Sequence, residues 1–496
     1  MSTAGEILCG APLAEALPAQ IAAAPVGGVA YDSRKVEPGF LFFAFSGKHA
    51  DGVAFAAQAM ARGALAVVSE SPRPADFAGP WIQAAHGRRA LAVAARNFYG
   101  APDERIAITG ITGTNGKTTT AYLLDSILRT AGHTTALAGT IECRLAGKAT
   151  TAVNTTPESP ELFRLFADLE AAGGSHATME VSSHALALGR VYGIRFHTAV
   201  FTNLTRDHLD FHGTMDDYFA AKRLLFEGAG APPPTFAIVN HDDAFGRRIK
   251  AAPGSERLTY GIGEGAAARA CHVRSGFDGL HFEIALGKER FPLVSPLPGR
   301  MNVYNILAAW CAGRSLGISP DLLASGIAAC RAVPGRFERI DEGQPFLVVV
   351  DYAHTDDALR NVIGVARGLD PKRVITLFGC GGDRDRVKRP MMAEAAAEFS
   401  DFVVLTSDNP RSEDPLAIIN DALRGLWRHD TPHVEEPDRE KAIRIALAKA
   451  EPGDIVILAG KGHETYQILK DRTIPLDDRE VARKVLRSFG YGAVKE

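Results

Sequence analysis

The sequence predicts a three-domain α/β protein with mostly parallel sheets, and three observations carry this prediction. The chain has 496 residues, which indicates about three domains at roughly 150 residues each. Short apolar runs alternate with longer helical patterns in the middle and last segments, as buried parallel strands and crossover helices require. A glycine-rich loop follows the apolar run at 106–111 and opens a helical pattern, an arrangement typical of phosphate-binding parallel sheets.

Eight apolar runs are predicted strands, because each is short, continuous and bounded by turn residues. They are Arg105–Thr109, Ala177–Met179, Thr198–Phe201, Phe236–Val239, Phe346–Val350, Val374–Phe378, Phe402–Leu405 and Ile455–Leu458. Between the first two runs, Leu124, Ile127, Leu128 and Ala131 share one helical face, and Gly132 follows as a C-terminal cap.

Proline and glycine mark two domain boundaries, near 99–103 and near 333–336. The predicted domains are therefore 1–100, 101–333 and 334–496. We expect a central P-loop ATPase-like domain and a C-terminal Rossmann-like domain.

Composition excludes several classes of protein. Lys plus Arg is 55 and Asp plus Glu is 58, a net charge of −3, so no global positive field favours nucleic acid or an anionic membrane. The six cysteines form no CxxC pair, which predicts reduced core thiols rather than zinc ligands or disulfides. No apolar run approaches the ~18 residues of a membrane span, and the first residues do not resemble a secretory signal. We expect a cytoplasmic protein without membrane insertion.

Polar or glycine-rich stretches follow four predicted strands of the last segment. In open α/β sheets the ligand lies beyond the carboxyl ends of the strands, so these stretches should converge on a ligand. They are Asp351–His354, Gly379–Asp385, Ser407–Arg411 and Gly460–Glu464.

The segment Gly113–Thr119 predicts a phosphate site. Glycines let backbone N–H groups approach phosphate oxygens because no Cβ intervenes, and the helix N-terminus adds partial positive charge. Lys117 can reach the β- and γ-phosphates, and a threonine hydroxyl can bind Mg²⁺. The usual spacing of this loop requires glycine at 111, where Ile111 stands, so the loop is a variant that indicates nucleoside triphosphate use without specifying a reaction.

Ordered motifs across nearly the whole chain resemble the Mur ligase family, in its branch that adds the third amino acid of the peptidoglycan peptide. Besides the glycine loop they are Asn154–Pro157, Glu180–His184, Asn203–Asp210, Lys222, Pro298–Asn305, Pro334–Glu338, Asp351–His354, Gly381–Arg384, Asp408–Arg411 and Gly460–Glu464.

The resemblance implies an ATP- and Mg²⁺-dependent, ADP-forming ligase. It implies that meso-2,6-diaminopimelate is joined to the D-Glu side-chain carboxylate of UDP-N-acetylmuramoyl-L-Ala-D-Glu through an acyl phosphate, in cell-wall synthesis and hence cell shape and division. The three domains would bind the UDP-sugar, ATP and the amino acid in chain order. We expect a monomer.

The resemblance also implies roles for individual residues. The catalytic residues are Lys117, Glu180, His208 and Lys222; the Mg²⁺ ligands are Thr118, Glu180, His208 and Lys222, the last as an N6-carboxylysine carbamate. The ATP-binding residues are Gly113, Thr114, Asn115, Gly116, Lys117, Thr118, Thr119, Asn302, Asn305 and Arg336. The UDP-substrate residues are Ser33, Lys48, His49, Ala50, Asn154, Thr155, Thr156, Ser182 and Arg190. Leu188 stands where many members have Gln, which removes one expected hydrogen bond to the substrate.

The amino-acid specificity is predicted from the 408–411 stretch. The guanidinium of Arg411 binds a carboxylate with two parallel hydrogen bonds, and Asp408 and Asn409 can accept from an ammonium group. L-Lysine lacks the distal carboxylate and would leave Arg411 unpaired. The implied diaminopimelate-binding residues are Arg384, Asp408, Asn409, Pro410, Arg411, Gly460 and Glu464.

Other functions remain as alternatives. The same ligation with L-lysine, the ligase that adds D-Ala-D-Ala and a folylpolyglutamate-type ligase are the enzymatic alternatives. A nucleotide-gated switch protein would hydrolyse ATP without needing a carboxylate and an amine together. An NAD-binding enzyme using the stretch from Gly379 is disfavoured because its fingerprint requires glycine where Arg384 stands.

Overall fold

A computed structural model describes residues 2–47, 51–152, 154–276 and 279–492. The expected substrate residues Lys48, His49 and Ala50 lie outside these ranges. The chain divides into two compact units. The first comprises Met1–Arg269, Ala285–Glu289 and Asn305–Gly326, and the second comprises Ala270–Ile284, Arg290–Tyr304 and Ile327–Glu496. No helix in the described ranges is long and apolar enough to cross a membrane.

The first unit begins with a four-stranded parallel sheet in the order β1-β2-β3-β4. Its strands are β1 Gly28–Ala30, β2 Phe40–Ala44, β3 Ala66–Ser69 and β4 Trp81–Gln83, and its helices are α1 Ala4–Ile7, α2 Ala19–Ala22, α3 Ala56–Ala61 and α4 Gly87–Phe98. Leu41, Phe43 and Val68 of the sheet share a buried apolar cluster with Leu91 of α4, which holds that helix against the sheet.

The glycine loop follows a strand of a second sheet. This sheet has eleven strands in the described residues. Its strands are β5 Ala107–Thr112, β6 Thr135–Ala138, β7 Glu142–Leu145, β8 Lys148–Thr151, β9 His176–Glu180, β10 Thr198–Phe201, β11 Phe236–Asn240, β12 Glu256–Gly261, β13 Ala268–Gly276, β14 Gly279–Leu286 and β15 Glu289–Ser295. The order is β15-β14-β13-β12-β11-β10-β5-β9-β6-β7-β8. The run from β12 to β6 is parallel, and β7 and β8 are antiparallel to their neighbours.

Seven helices in the described residues accompany this sheet along the chain. They are α5 Lys117–Thr130, α6 Ser159–Ala171, α7 Ser183–Leu188, α8 Leu209–His212, α9 Met215–Glu227, α10 Arg300–Ser315 and α11 Pro320–Ala329. The predicted face of α5 is confirmed: Leu124, Ile127 and Leu128 are buried, and Gly132 adopts a left-handed conformation just past the end of the helix.

The last part of the second unit is a doubly wound sheet in the order β16-β17-β21-β18-β19-β20. Its strands are β16 Glu338–Ile340, β17 Leu347–Asp351, β18 Val374–Cys380, β19 Phe402–Ser407, β20 His433–Glu436 and β21 Ile455–Ala459; a hairpin of β22 Tyr466–Ile468 and β23 Thr473–Pro475 follows. The helices are α12 Asp356–Arg367, α13 Lys388–Phe399, α14 Pro415–Leu426, α15 Arg439–Ala448 and α16 Asp478–Ser488. One apolar cluster joins the sheet to α12–α14 and another joins it to α15 and α16, so helices cover both faces.

The predicted α/β class and mostly parallel sheets are confirmed. All eight predicted strands are present with bounds that differ by a few residues; Thr198–Phe201 coincides with β10, whereas the run at 105–109 becomes β5 at Ala107–Thr112. The remaining strands were not predicted from the sequence; among them, β7 and β8 have half-buried or exposed residues and form no apolar run. One expectation was wrong: Cys9 is exposed, so not every thiol lies in a core.

A buried ion pair fixes the ends of two strands in the second unit. Arg439 and Asp478 are both fully buried in their side chains, and the guanidinium donates to the carboxylate at 2.8 and 2.6 Å. Arg439 also donates to the carbonyl of Ser407, at the end of β19, and to that of Ala459, at the end of β21. One side chain therefore connects the two strands that precede the 408–411 and 460–464 loops.

Replacing one member of this pair should destabilise the protein strongly. Arg439→Met leaves Asp478 as an unpaired buried charge, and such a change typically costs about 3–5 kcal/mol. Urea unfolding followed by circular dichroism measures the loss. Arg444→Met is the matched control, because Arg444 is an exposed arginine on the same helix. A loss for Arg439→Met no larger than that for Arg444→Met would contradict this assignment.

Candidate active site

The glycine loop, residues 113–116, is packed too closely for side chains at its two glycines. Gly113 has φ 151°, and a Cβ there would lie 1.9 Å from Thr202 Oγ1. Gly116 has φ 87°, and a Cβ there would lie 2.3 Å from Asn305 Oδ1. Both positions therefore require glycine, and the loop backbone is left open for phosphate oxygens at the start of α5.

Asn203 and Thr202, which follow β10, hold the loop in this conformation. The carbonyl of Asn203 accepts from Thr114 N at 2.9 Å, and its side-chain Oδ1 accepts from Asn115 N at 2.9 Å. The hydroxyl of Thr202 donates to Asn115 O at 2.6 Å. The loop geometry is thus set by a neighbouring strand as well as by its own glycines.

Two lysines donate to the same loop carbonyl. Lys117 Nζ lies 3.0 Å from Gly113 O and 2.9 Å from Thr114 O, and Lys222 Nζ lies 2.8 Å from Gly113 O. Lys222 is fully buried on α9, and its Nζ lies 4.5 Å from the centre of the Tyr218 ring. Within the described ranges it forms no ion pair. Burial, with Lys117 nearby, lowers the pKa of Lys222 well below that of an exposed lysine.

A buried carboxylate lies beside the first turn of α5. Glu180, at the end of β9, is 1% exposed and accepts from Thr118 Oγ1 at 2.9 Å. It also accepts from the backbone N and the hydroxyl of Thr140 at 2.8 and 3.0 Å. In the described part of the chain only these neutral groups pair with it, so its negative charge is left without a cation.

His208 lies in an aromatic cluster next to Lys222. Its ring centroid is 4.8 Å from that of His184 and 6.1 Å from that of Tyr218. His208 has φ 53°, a left-handed conformation that is uncommon for residues other than glycine. The His208 side chain is 47% exposed and its Nε2 lies 3.4 Å from Asp207 Oδ2. Desolvation by the neighbouring side chains outweighs the Asp207 carboxylate and lowers the pKa of His208 to about 4, which favours the neutral imidazole that a metal ligand requires.

The residues around the glycine loop fit a phosphate-bound Mg²⁺. No group of three or more His, Cys, Asp or Glu side chains in the described ranges is arranged to hold a metal ion. Mg²⁺ in nucleotide sites is usually held by one or two protein groups, phosphate oxygens and water. The Thr118 hydroxyl and the Glu180 carboxylate to which it donates supply such oxygens. Of the four expected ligands these two adjoin each other, whereas Lys222 and His208 are linked through Tyr218.

Several expected UDP-substrate residues form one hydrogen-bonded network. Thr156 Oγ1 donates to Glu180 O at 2.9 Å and accepts from Ser182 N at 3.0 Å, and Arg190 Nη1 donates to Thr156 O at 3.1 Å. Thr155 Oγ1 accepts from Thr140, which binds Glu180. The network therefore connects this group to the carboxylate beside the glycine loop.

Three further expected residues belong to the first unit and two to the second. Ser33 is buried and donates to Gln58 Oε1 at 2.8 Å, and Asn154 is exposed. Asn305 is 7% exposed and lies against Gly116. In the second unit, Asn302 Nδ2 donates to Pro298 O at the start of α10, and the Arg336 guanidinium lies 4.8 Å from the ring of Tyr352.

The four loops of the last sheet converge as predicted. Gly460 N donates to Asp351 O at 3.0 Å, Gly382 N donates to Asn409 O at 2.9 Å, and Arg411 Nη1 donates to Gly382 O at 2.7 Å. A Cβ at Gly381 would lie 3.1 Å from Arg411 Nη1 and 3.7 Å from Arg384 Cγ. The two arginines therefore flank one glycine, next to the buried Pro410.

A buried lysine lies at the centre of these loops, and sequence reasoning missed it. Lys461 is 0% exposed, and its Nζ lies 3.5 Å from Asp408 Oδ1, 3.1 Å from Asn409 Oδ1 and 3.0 Å from Glu464 Oε2. We call these four residues the Lys461 cluster. The sequence signal was available, because Lys461 stands inside the Gly460–Glu464 motif.

Glu158 was missed in the same way. It directly follows the Asn154–Pro157 motif, is 6% exposed, and forms ion pairs with Arg190 at 2.9 Å and Arg88 at 3.5 Å. It fixes the guanidinium that the resemblance assigns to the UDP-substrate.

The fold and the site define a P-loop enzyme with a separate Rossmann-like domain, the class to which the Mur ligases belong. Three family models match the chain: Mur ligase family, catalytic domain, at residues 25–99; Mur ligase middle domain at 111–313; and Mur ligase, glutamate ligase domain, at 335–462. The chain belongs to the Mur ligase family.

The chain is also similar to individual named proteins. The chain is 66% identical over 487 residues to the UDP-N-acetylmuramoyl-L-alanyl-D-glutamate–2,6-diaminopimelate ligase of Solibacter usitatus (strain Ellin6076), covering 98% of this chain and 99% of that protein. A solved structure of a ligase with the same name is 33% identical, with a TM-score of 0.70. The match covers 96% of this chain and 98% of that chain. The MurF ligase of Thermotoga maritima in complex with ADP shares the fold at 18% identity, with a TM-score of 0.63. The match covers 93% of this chain and 97% of that chain.

The glycine loop can be tested with two glycines at opposite ends of α5. Gly116→Ala should lower kcat/KM for ATP by about 10²-fold or more, because its methyl group would displace the side chain of Asn305, an expected ATP-binding residue. Gly132→Ala is the matched control: Gly132 has φ 86°, and nothing lies within 4 Å of its Cβ position. It should cost about 1–2 kcal/mol of stability while ATP use is retained. Equal effects of both changes on ATP use would contradict the close approach at Gly116.

Proposed function

We propose that this protein is an ATP-dependent ligase that joins meso-2,6-diaminopimelate to the D-Glu side-chain carboxylate of UDP-N-acetylmuramoyl-L-Ala-D-Glu in peptidoglycan synthesis. The observation that carries the proposal is the 66% identity to a ligase of that name, over nearly the full length of both chains. We also propose that the protein acts as a monomer.

The reaction couples two bond-forming steps. A D-Glu carboxylate oxygen attacks the γ-phosphorus of ATP, ADP leaves, and an acyl phosphate forms. The amine of the amino acid then attacks the acyl carbon and loses one proton, and phosphate leaves with the original carboxylate oxygen. The glycine loop and Lys117 orient the phosphates and offset their charge, which is the main requirement of phosphoryl transfer. Mg²⁺ held by Thr118 and Glu180 would neutralise charge on the transferred group.

Diaminopimelate carries two ammonium groups and two carboxylates, and the second unit offers complementary charges. The guanidinium groups of Arg411 and Arg384 suit a carboxylate, and the carboxylates of the Lys461 cluster suit an ammonium. L-Lysine would satisfy the carboxylates but leave an arginine unpaired. This complementarity favours diaminopimelate.

Lys222 is proposed to act as a carbamate. Its neutral amine would attack CO₂, forming an N–C bond with loss of one proton, and the product is an anion that suits a second Mg²⁺. Full burial and the absence of an ion pair in the described residues favour the neutral amine at physiological pH. His208, linked to Lys222 through Tyr218, is proposed as a further ligand.

The direct test is phosphate release with ATP and the UDP-dipeptide, comparing meso-diaminopimelate with L-lysine at equal concentrations. We expect release only when nucleotide, UDP-dipeptide and amino acid are all present, with diaminopimelate strongly preferred. Release without the UDP-dipeptide would identify a simple ATPase, and preference for L-lysine would overturn the specificity assignment.

Arg411 should control use of the amino acid. A hydrogen bond to a charged group contributes about 1.5–3 kcal/mol, so Arg411→Ala, at a half-buried arginine, should raise the KM for diaminopimelate roughly 10-fold to 150-fold. The KM for ATP should stay unchanged. Arg411→Lys retains the charge without the planar fork and should show an intermediate loss. Unchanged steady-state constants for diaminopimelate in Arg411→Ala would contradict this role.

Activity should depend on dissolved CO₂ if Lys222 is carbamylated. Degassed buffer should lower kcat, and added bicarbonate should restore it. Lys222→Met should be inactive in both conditions, whereas Lys250→Met, at an exposed lysine of the same unit, should behave like the unsubstituted enzyme. Activity that is independent of CO₂, with mass spectrometry showing unmodified Lys222, would contradict the carbamate.

A further inference from the structure

Hydrogen bonds from Lys461 and Ile468 leave the side-chain oxygen of Asn409 no free lone pair with which to accept from a ligand. Asn409 Oδ1 accepts from Lys461 Nζ at 3.1 Å and from Ile468 N at 2.9 Å. A carbonyl oxygen has two lone pairs, so both are used. Since Oδ1 faces two donors, the amide orientation is determined, and Asn409 Nδ2 donates to Glu464 Oε2 at 2.9 Å.

Glu464 is held by one of its two oxygens. Oε2 accepts from Asn409 Nδ2 and from Lys461 Nζ, at 2.9 and 3.0 Å. Oε1 has no hydrogen-bond partner in the described ranges, and the Glu464 side chain is 16% exposed. A carboxylate fixed in this way presents Oε1 in a defined direction.

We propose that Lys461 is a positioning residue for the amino-acid substrate: with Asn409 it fixes Glu464 so that Oε1 binds an ammonium group of diaminopimelate. The inference rests on the proposed function and assigns a role to a residue that does not itself touch the substrate. The acceptor for that ammonium is then Glu464 rather than Asn409.

The charge balance of the cluster supports this role. Asp408 and Glu464 bring two negative charges into a mostly buried site, and Lys461 offsets one of them. The cluster therefore carries one net negative charge, which matches one substrate ammonium. Without Lys461, Glu464 would keep only the amide donor and could turn towards solvent, because its other oxygen makes no bond.

A double-mutant cycle on the full-length enzyme separates positioning from a general structural role. Lys461→Met and Glu464→Gln are measured singly and together, and the KM is determined for diaminopimelate and for ATP. Charged hydrogen bonds contribute enough to predict a roughly 10- to 100-fold rise in the KM for diaminopimelate in each single variant. In the Glu464→Gln background, Lys461→Met should add little, and the KM for ATP should not move.

The outcomes distinguish the inference from the proposed function. Multiplicative effects of the two changes, or an equal rise in the KM for ATP, would overturn positioning through Glu464 while leaving the ligase assignment intact. Failure of the unsubstituted enzyme to require diaminopimelate would overturn both. Lys461→Gln, which keeps a donor, replaces Lys461→Met in the same cycle if that variant does not fold. Lys449→Met, at an exposed lysine of the same unit, is the control and should change neither KM.

Discussion

The close approach of the glycine loop to the end of β10 and to α10 is the constraint on which the first unit depends. Gly113 and Gly116 have no room for a Cβ, and Asn203 binds the loop backbone from the neighbouring strand. Lys117 and Lys222 both donate to the carbonyl of Gly113. These two lysines are therefore placed relative to one short piece of backbone.

Two buried lysines, one in each unit, have different surroundings and therefore suit different roles. Lys461 is surrounded by carboxylates and an amide and is bound as a cation. Lys222 has a backbone carbonyl and an aromatic face, and its lowered pKa favours the neutral amine. The same side chain thus suits an electrostatic bridge in one unit and a reactive amine in the other.

Local sequence predicted those parts of the fold that local interactions determine. Eight of the parallel strands were predicted because burial on both faces requires continuous apolar runs, and the glycine loop because its residues are contiguous. Strands β7 and β8 were missed because hydrogen bonds to neighbours, rather than burial, define them. Lys461 was missed because its partners Asp408 and Asn409 lie more than fifty residues away, so only the folded sheet brings them together. The ordered motifs identified candidate residues, but not which oxygen of each side chain is already occupied.

We propose that the substrate carboxylate is activated as an acyl phosphate next to the glycine loop. Isotope transfer measures this directly: UDP-dipeptide labelled with ¹⁸O in both oxygens of the D-Glu side-chain carboxylate is turned over with ATP and diaminopimelate, and the released phosphate is analysed by mass spectrometry. Activation through an acyl phosphate predicts one substrate-derived ¹⁸O in each phosphate. Formation of the amide product with unlabelled phosphate would contradict it.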